Sequence, residues 1–295
     1  MSSITPLVSV VISCYNHEKY IEESIASVLA QDYENIELLV VDDGSADGSV
    51  DVIRRMQQEY GFYFLAQENK GLTKTLNETI AKSSGEYIVP FGSDDVMLPS
   101  RISTQVKYMR DKPEVGICGG NIELIDSDGV PFPDKQQDRD LAFRRMNFED
   151  VFLQRKTYVP ATTLLIRREA LEKVGGFDEE IRLEDLMIEL KITRAGYYID
   201  CLPVLMAKYR KHPTNTYKNY HFMIDSTLKT FARFSDHPDY EFVKYKFYNS
   251  MFSKFSKRDK ELARQLLKEI PFSHWNRRTL KGLLRLYLLP TQKVK

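Results

Sequence analysis

Residues 8–49, VSVVISCYNHEKYIEESIASVLAQDYENIELLVVDDGSADGS, decide the fold of this chain. Leu7 to Ser13 is apolar at nearly every position, and unbroken apolar runs of this length mark strands buried on both faces. Ile21, Ile25, Val28 and Leu29 then recur at helical spacing. Ile36 to Val41 is a second buried run, ending abruptly in Asp42, Asp43 and Gly44. Strand, helix and strand in this order are the repeating unit of a parallel sheet.

The alternation continues downstream. Val50, Ile53 and Met56 mark a helix, Phe62 to Leu65 a strand, and Leu72, Leu76 and Ile80 another helix. Glu86 to Phe91 is a fourth strand, and the next helix begins near Pro99 and carries Ile102, Val106 and Met109. Val115 to Cys118 is a fifth strand. The pattern predicts an α/β fold with a mainly parallel sheet flanked by helices. Asp126 to Gly129 reads as a turn, and Pro131 to Asp150 is polar and weakly patterned. A strand is expected over Ala161 to Ile166, with a short helix after it. Gly175, Gly176 and Phe177 break the chain before a helix starting near Glu184. From Tyr217 the sequence turns helical and rich in Tyr, Phe, Lys and Arg.

Bulk properties are those of a soluble chain of 295 residues, 42% hydrophobic and 28% charged, long enough for a large core. Its formal net charge is zero, but Glu241 to Lys295 holds 14 Lys and Arg against 4 Asp and Glu, a local +10. A basic tail of this kind suggests a partner of its own. Three scattered cysteines exclude a disulfide framework or a Cys-based zinc site and suit a reducing cytosol. The N-terminus lacks the basic and apolar regions of a signal peptide, and no apolar run nears the roughly 20 residues that span a bilayer.

Ligands of open α/β sheets bind at the carboxyl ends of the strands. The first strand is followed by Ser13, Cys14, Tyr15 and Asn16, without the Gly-rich turn of a dinucleotide site. The second ends in Asp42-Asp43-Gly44-Ser45 and the fourth in Gly92-Ser93-Asp94-Asp95. Two acidic tips on one sheet edge suit a hard divalent cation or the polar edge of a base.

The opening stretch, together with NKGLTKTLNETIAKSSGEYIVPFGSDD, GGFDEEIRLEDLMIELKITRAG and the later YRKH, resembles glycosyltransferase family 2 in the family's order, from about Val8 to His212. The resemblance implies a GT-A nucleotide-diphospho-sugar transferase fold. The catalytic domain would span 1–215, with a donor half to about 120 and an acceptor half beyond it, and 216–295 would be a basic helical extension. Tyr15 would stack on the donor base, and Ser13 and Ser93 would line its site. Asp43 would accept the base N3–H, favouring UDP- or dTDP-sugars, while Asp42 would contact ribose or shape the loop. Asn69 and Gly71 would form the loop beneath the donor, with Lys74 offering a charge toward it. Asp94 stands at the last position of the family's D-x-D motif and would hold Mg2+ or Mn2+, but Gly92 occupies the place of the first Asp. Asp95 would compensate. Arg210 would clamp the diphosphate and His212 complete the metal shell. Asp185 would be the base that deprotonates the acceptor hydroxyl, with Glu184 orienting acceptor or loop.

The implied activity is that of an inverting hexosyl- or deoxyhexosyltransferase acting on a saccharide or lipid-linked saccharide in bacterial cell-surface polysaccharide synthesis. Alternatives are a sugar-phosphate nucleotidyltransferase, disfavoured because SCYNHEKY lacks a Gly-rich basic loop, and a non-catalytic donor-binding scaffold, suggested only by Gly92. Trp275 to Leu286 is expected to form a basic helix with an apolar face, suited to an anionic membrane surface, to packing on the catalytic domain or to an oligomer contact. The expected location is cytoplasmic, with peripheral attachment to the inner face of the membrane. No nucleic-acid motif is present, and none is expected as a partner.

Overall fold

The computed structural model describes residues 5–132, 142–156 and 159–290, so 133–141 of the weakly patterned stretch lie outside the described residues. The chain divides into two compact units, Met1–Lys218 and Asn219–Lys295. The first unit begins with β1 (Val8–Cys14), α1 (Ile21–Leu29), β2 (Ile36–Asp43), α2 (Ser49–Tyr60), β3 (Tyr63–Gln67) and α3 (Leu72–Ile80). It continues with β4 (Tyr87–Gly92), β5 (Val96–Met97), α4 (Arg101–Met109), β6 (Val115–Ile125), β7 (Arg144–Met146) and α5 (Phe148–Phe152). β8 (Leu165–Arg167), α6 (Arg168–Lys173), α7 (Glu184–Arg194) and β9 (Tyr198–Arg210) complete it.

Among the described residues these strands form one nine-stranded sheet in the order β3-β2-β1-β4-β8-β6-β9-β5, with β7 also paired to β9. Pairing is parallel from β3 through β4 and mixed beyond, because β8 enters antiparallel to both β4 and β6. Val8, Val10, Ile12, Val40 and Val89 are buried in the sheet, with Ile21, Ile25, Ile53, Ile102 and Val106 packed over it from the helices. Each such side chain contributes about 1.5–3 kcal/mol through burial.

Strand β1 has β2 on one side and β4 on the other, so the chain order reverses beside it and opens a crevice at the carboxyl ends. The register levels those ends: Ser13 lies opposite both Val41 and Gly92, and Cys14 opposite Asp42. β6 and β4 both run against β8, and β9 runs parallel to β6. The carboxyl end of β9, with Arg210, therefore reaches the same edge.

The strand expected over Ala161 to Ile166 is shorter and later. Ala161–Thr163 is a 3-10 turn behind Pro160, and only Leu165–Arg167 pairs. The buried Arg101 guanidinium takes the carbonyls of Thr162 and Leu164 at 2.7 and 3.0 Å, which satisfies them without a neighbouring strand. The helix expected near Pro99 starts at Arg101, after Ser100 in the left-handed region with φ 63.

The second unit comprises α8 (Tyr220–Ala232), α9 (Tyr240–Phe255), α10 (Lys260–Lys268) and α11 (Arg277–Leu288). Phe252, Phe255, Leu262, Leu266, Ile270 and Leu286 form its core. A capping box between Asn276 and Thr279 starts α11. Its inward face presents Thr279, Gly282 and Leu286, while Leu280, Leu284, Tyr287 and Leu288 are exposed. No described helix is long and apolar enough to cross a membrane.

Gly282 is the point of closest approach between α11 and α9: a Cβ there would lie 2.4 Å from Cε1 of the buried Phe252 ring. Gly282→Ala is expected to destabilise the second unit by about 1–3 kcal/mol through overpacking, despite the better helix propensity of alanine. Urea unfolding followed by circular dichroism measures this, and an unchanged or raised midpoint would mean that the ring moves aside freely.

Candidate active site

The loops that follow β1 and β2 are laced together. Asn16 adopts a left-handed φ of 55 and its side chain accepts from Ala46 N at 2.8 Å, while Asn16 N donates to Ser45 Oγ at 2.8 Å. His17 N donates to Ser49 Oγ at 3.0 Å, and Glu18 N to Asp47 at 3.1 Å. These bonds fix the path of residues 15–18 at the crevice. Tyr15 projects outward, 52% exposed.

Asp42 and Asp43 close β2 in different ways. Asp42 accepts from the backbone N–H of Ser45 at 2.9 Å and from its hydroxyl, shaping the turn. Asp43 is buried and accepts four donors, each at 2.9 Å: Gln67 Nε2, Lys70 N, Gly71 N and Thr75 Oγ1. Three of these donors fall on Oδ1 and one on Oδ2, so the carboxylate holds the 67–71 loop and the start of α3 while Oδ2 keeps acceptor capacity for a further donor such as a base N–H. An open groove beside it is bordered by Asp42, Gly44, Ser45, Gln67 and Asn69. Gly71, with φ 87, precedes α3. Lys74 is exposed on α3, and it does not line the cavity described below.

At the end of β4 the neighbouring carboxylates part company. Asp94 Oδ2 lies 2.8 Å from His212 Nε2, and Asn215 Nδ2 approaches it at 3.4 Å. His17 joins them: the three potential ligand atoms of His17, Asp94 and His212 lie within 4.8 Å of one another. Burial pushes the His17 imidazole below its ordinary pKa, with the charge of Asp94 opposing, so the ring favours its neutral, metal-binding form. Asp95, expected beside Asp94 in the metal shell, lines the same cavity but is buried: its Oδ1 accepts from Arg210 N at 2.9 Å, and burial reinforced by the charge of Asp94 pushes its pKa up to about 8.

Arg210 also departs from its expected role. Only 2% exposed, its guanidinium donates to the Asp94 carbonyl at 2.8 Å, to the carbonyls of Asp126 and Ser127, and to Glu23 Oε2, and it stacks over Tyr20. With those donors engaged, it anchors the end of β9 and does not reach the cavity as a free diphosphate clamp.

Asp94 and His212 border a cavity of about 310 Å³, shared with Ser13, His17, Ser93, Glu184, Asp185 and Tyr209. Glu184 and Asp185 are half-buried in the first turn of α7. Asp185 Oδ1 accepts from Leu186 N at 2.7 Å, and neither carboxyl has an ion-pair partner among the described residues. Burial, then the charge of Asp185, pushes Glu184 up to about 8, and burial likewise raises Asp185. One turn along, Glu189 is buried and raised well above its ordinary value by the same burial and by Asp185. Sequence reading missed His17, whose only signal was its place in the loop after the first strand. It also missed Asn215, whose Oδ1 accepts from His212 N at 2.7 Å.

Two outcomes follow from this geometry. Asp43→Ala orphans four donors and is expected to lower stability by roughly 3 kcal/mol in urea unfolding; an unchanged midpoint would mean that the 67–71 loop does not depend on this carboxylate. A carboxyl whose pKa is raised on folding stabilises fully below its ordinary 4.5 and loses that contribution as pH climbs toward 8. Glu184→Gln is therefore expected to gain about 1–2 kcal/mol over wild type near pH 8.5 and to match it near pH 4.5. Chemical denaturation at both pH values reads the difference, and a pH-independent gap would remove the raised pKa.

Residues 9–175 match the family described as Glycosyl transferase family 2. An uncharacterized glycosyltransferase of Rickettsia felis is 35% identical over 196 residues, covering 65% of this chain and 32% of that protein. The chain spans 31% to 67% of the length of such curated relatives. Among solved structures, the mannosyltransferase PcManGT from Pyrobaculum calidifontis, in complex with GDP-Man and Mn2+, superposes with a TM-score of 0.64 at 18% identity, over 96% of this chain and 86% of that one. S. aureus TarS 1-349 in complex with UDP-GlcNAc gives 0.65 at 17% identity, over 95% and 81%. These likenesses show a shared fold, a mixed sheet flanked by helices with a helical C-terminal region. The chain belongs to glycosyltransferase family 2 and has the GT-A fold.

Proposed function

We propose that the chain transfers a sugar from a nucleotide-diphosphate donor to a hydroxyl, with inversion at the anomeric carbon and a divalent cation at the leaving diphosphate. The observation that carries this reading is one cavity holding both the His17–Asp94–His212 cluster and the Glu184–Asp185 pair. One carboxylate oxygen and two imidazole nitrogens form a donor set that fits a divalent first-row ion. When bound, the ion would supply Lewis-acid stabilisation of the leaving group. Asp185 removes the acceptor proton: its carboxyl lines the cavity without an ion-pair partner among the described residues, and burial raises its pKa above the ordinary carboxylate value, which strengthens it as a base. Glu184 orients the acceptor beside it. Ser13 and Ser93 line the donor side, and Tyr15 offers an exposed ring to the base above the groove of Asp42 and Asn69.

The donor is proposed to be a UDP- or dTDP-sugar, with UDP supported by the TarS complex. The acceptor is a saccharide or glycolipid of bacterial surface polysaccharide. Membrane association has separate support: Leu280, Leu284, Tyr287 and Leu288 form an exposed stripe on α11, and Leu288 is 72% exposed. Arg277, Arg278, Lys281 and Arg285 share that helix. Apolar and basic groups together suit an anionic lipid surface at the inner face of the membrane.

Nucleotide sugars screened with Mn2+ by thermal shift, followed by an acceptor transfer assay, test the assignment. A stabilising donor and a glycosylated product are expected, and binding without any turnover would favour a donor-binding scaffold. Asp185→Asn is expected to keep donor affinity while turnover falls about 10²–10⁴-fold; if Glu184→Gln is the dead variant and Asp185→Asn stays active, the two roles exchange. Flotation with anionic liposomes at low salt is expected to carry the wild type but not a Leu280→Glu, Leu284→Glu variant. Equal flotation of both would remove α11 from the membrane.

A further inference from the structure

We propose that His17 is a third protein ligand of the divalent ion, standing in for the carboxylate absent at Gly92, and that the resulting pair of imidazoles selects Mn2+ over Mg2+. The inference deepens the proposed reading and rests on the ion binding at this cluster.

Gly92 leaves no easy place for the missing carboxylate. A Cβ at this position would lie 3.0 Å from Asp95 Oδ2 and 3.1 Å from Asp94 Oδ1, so an acid there would press against two others. Ligation falls instead to the loop after β1. The ring of His17 meets that of His212 edge-on at 5.4 Å between centroids. Its Nδ1 sits 2.7 Å from Ser93 Oγ, as Nδ1 of His212 sits 2.9 Å from Thr214 Oγ1. Each imidazole thus has Nδ1 tied to a hydroxyl, and Nε2 of His212 lies against Asp94 Oδ2 at 2.8 Å and Asn215 Nδ2 at 2.9 Å, the contacts an ion shared with Asp94 would replace. Metal-bound histidines are oriented in this way.

The spacing suits a shared ion. Two bonds of about 2.1 Å reach about 4.2 Å across a metal. The three ligand atoms already lie within 4.8 Å of one another, so small side-chain rotations close the set. Main-chain bonding of His17 to Ser49 and of Asn16 to Ser45 holds the loop in position. Mg2+ demands oxygen ligands and keeps its waters, whereas imidazole favours first-row transition ions. Two nitrogens against one protein carboxylate therefore penalise Mg2+.

The test uses the full chain, stripped of metal with chelator, and Mn2+ alone as the probe. Loss of the free-ion electron paramagnetic resonance signal measures affinity, and pulsed spectra count the coupled nitrogens. Wild type is expected to bind Mn2+, to show two imidazole nitrogens, and to retain most of the ion against a large excess of Mg2+. His17→Ala is expected to weaken Mn2+ binding about 10-fold or more, to show one nitrogen, and to narrow the gap between the two ions. Circular dichroism checks its fold, and the nitrogen count of the wild type decides even where a variant fails to fold. Unchanged affinity and spectra in His17→Ala, with binding lost in Asp94→Asn, would overturn this inference and leave the ion reading standing. Ready displacement by Mg2+ in the wild type would overturn the selectivity, and no Mn2+ binding at all would overturn both.

Discussion

Parallel pairing is the constraint on which the site depends. β1, β2 and β4 run in one direction and in register, so all three stop at one edge and release their loops there. Those loops must then satisfy their own backbone groups without a ladder. They do so by bonding to one another: Asn16 to Ser45 and Ala46, His17 to Ser49, and Asp43 to the amides of Lys70 and Gly71. The surface left at the cavity is what remains after this internal bonding, so its acidic side chains divide between those tied to backbone groups and those left to side-chain partners.

Asp94 and Asp95 illustrate that division. They are adjacent, yet one lies against His212 while the other accepts the Arg210 amide. Two like charges so close cannot both stay ionised cheaply in a buried place. The inward carboxyl becomes the one with the raised pKa, and the outward one keeps its basic neighbours. Asp42 and Asp43 divide in a similar manner, one bordering the groove and the other buried and engaged by four donors.

The first half of the fold was legible because its strands are continuous apolar runs, and the helices between them have clear spacing. β9 was not, since exposed Pro203, Val204 and Leu205 interrupt it where its register with β6 shifts. The 3-10 turn at Ala161 was hidden because Arg101, some sixty residues upstream, supplies the partners that make it stable. At the site, motif positions pointed to loops and to the pair on α7 that border one cavity. They did not show which side chains were already engaged. Asp43 bonds to groups 24 to 32 residues away and Arg210 to Glu23, 187 residues away, and no local pattern encodes such pairings. His17 was invisible for the converse reason: it gains meaning only once β9 has brought His212 beside it.

The anchoring of Arg210 also sets where motion can start. Its amide and guanidinium are tied to the β4 loop, the 126–127 turn and α1, so β9 is pinned through its final residue. A segment that moved over the cavity would pivot beyond that residue. His212, Thr214 and Asn215, which line the cavity, lie within the first few positions past the pivot. A short lever of this kind lets these side chains rotate with little displacement of the sheet, so the strand edge keeps its geometry while the chain after residue 210 moves.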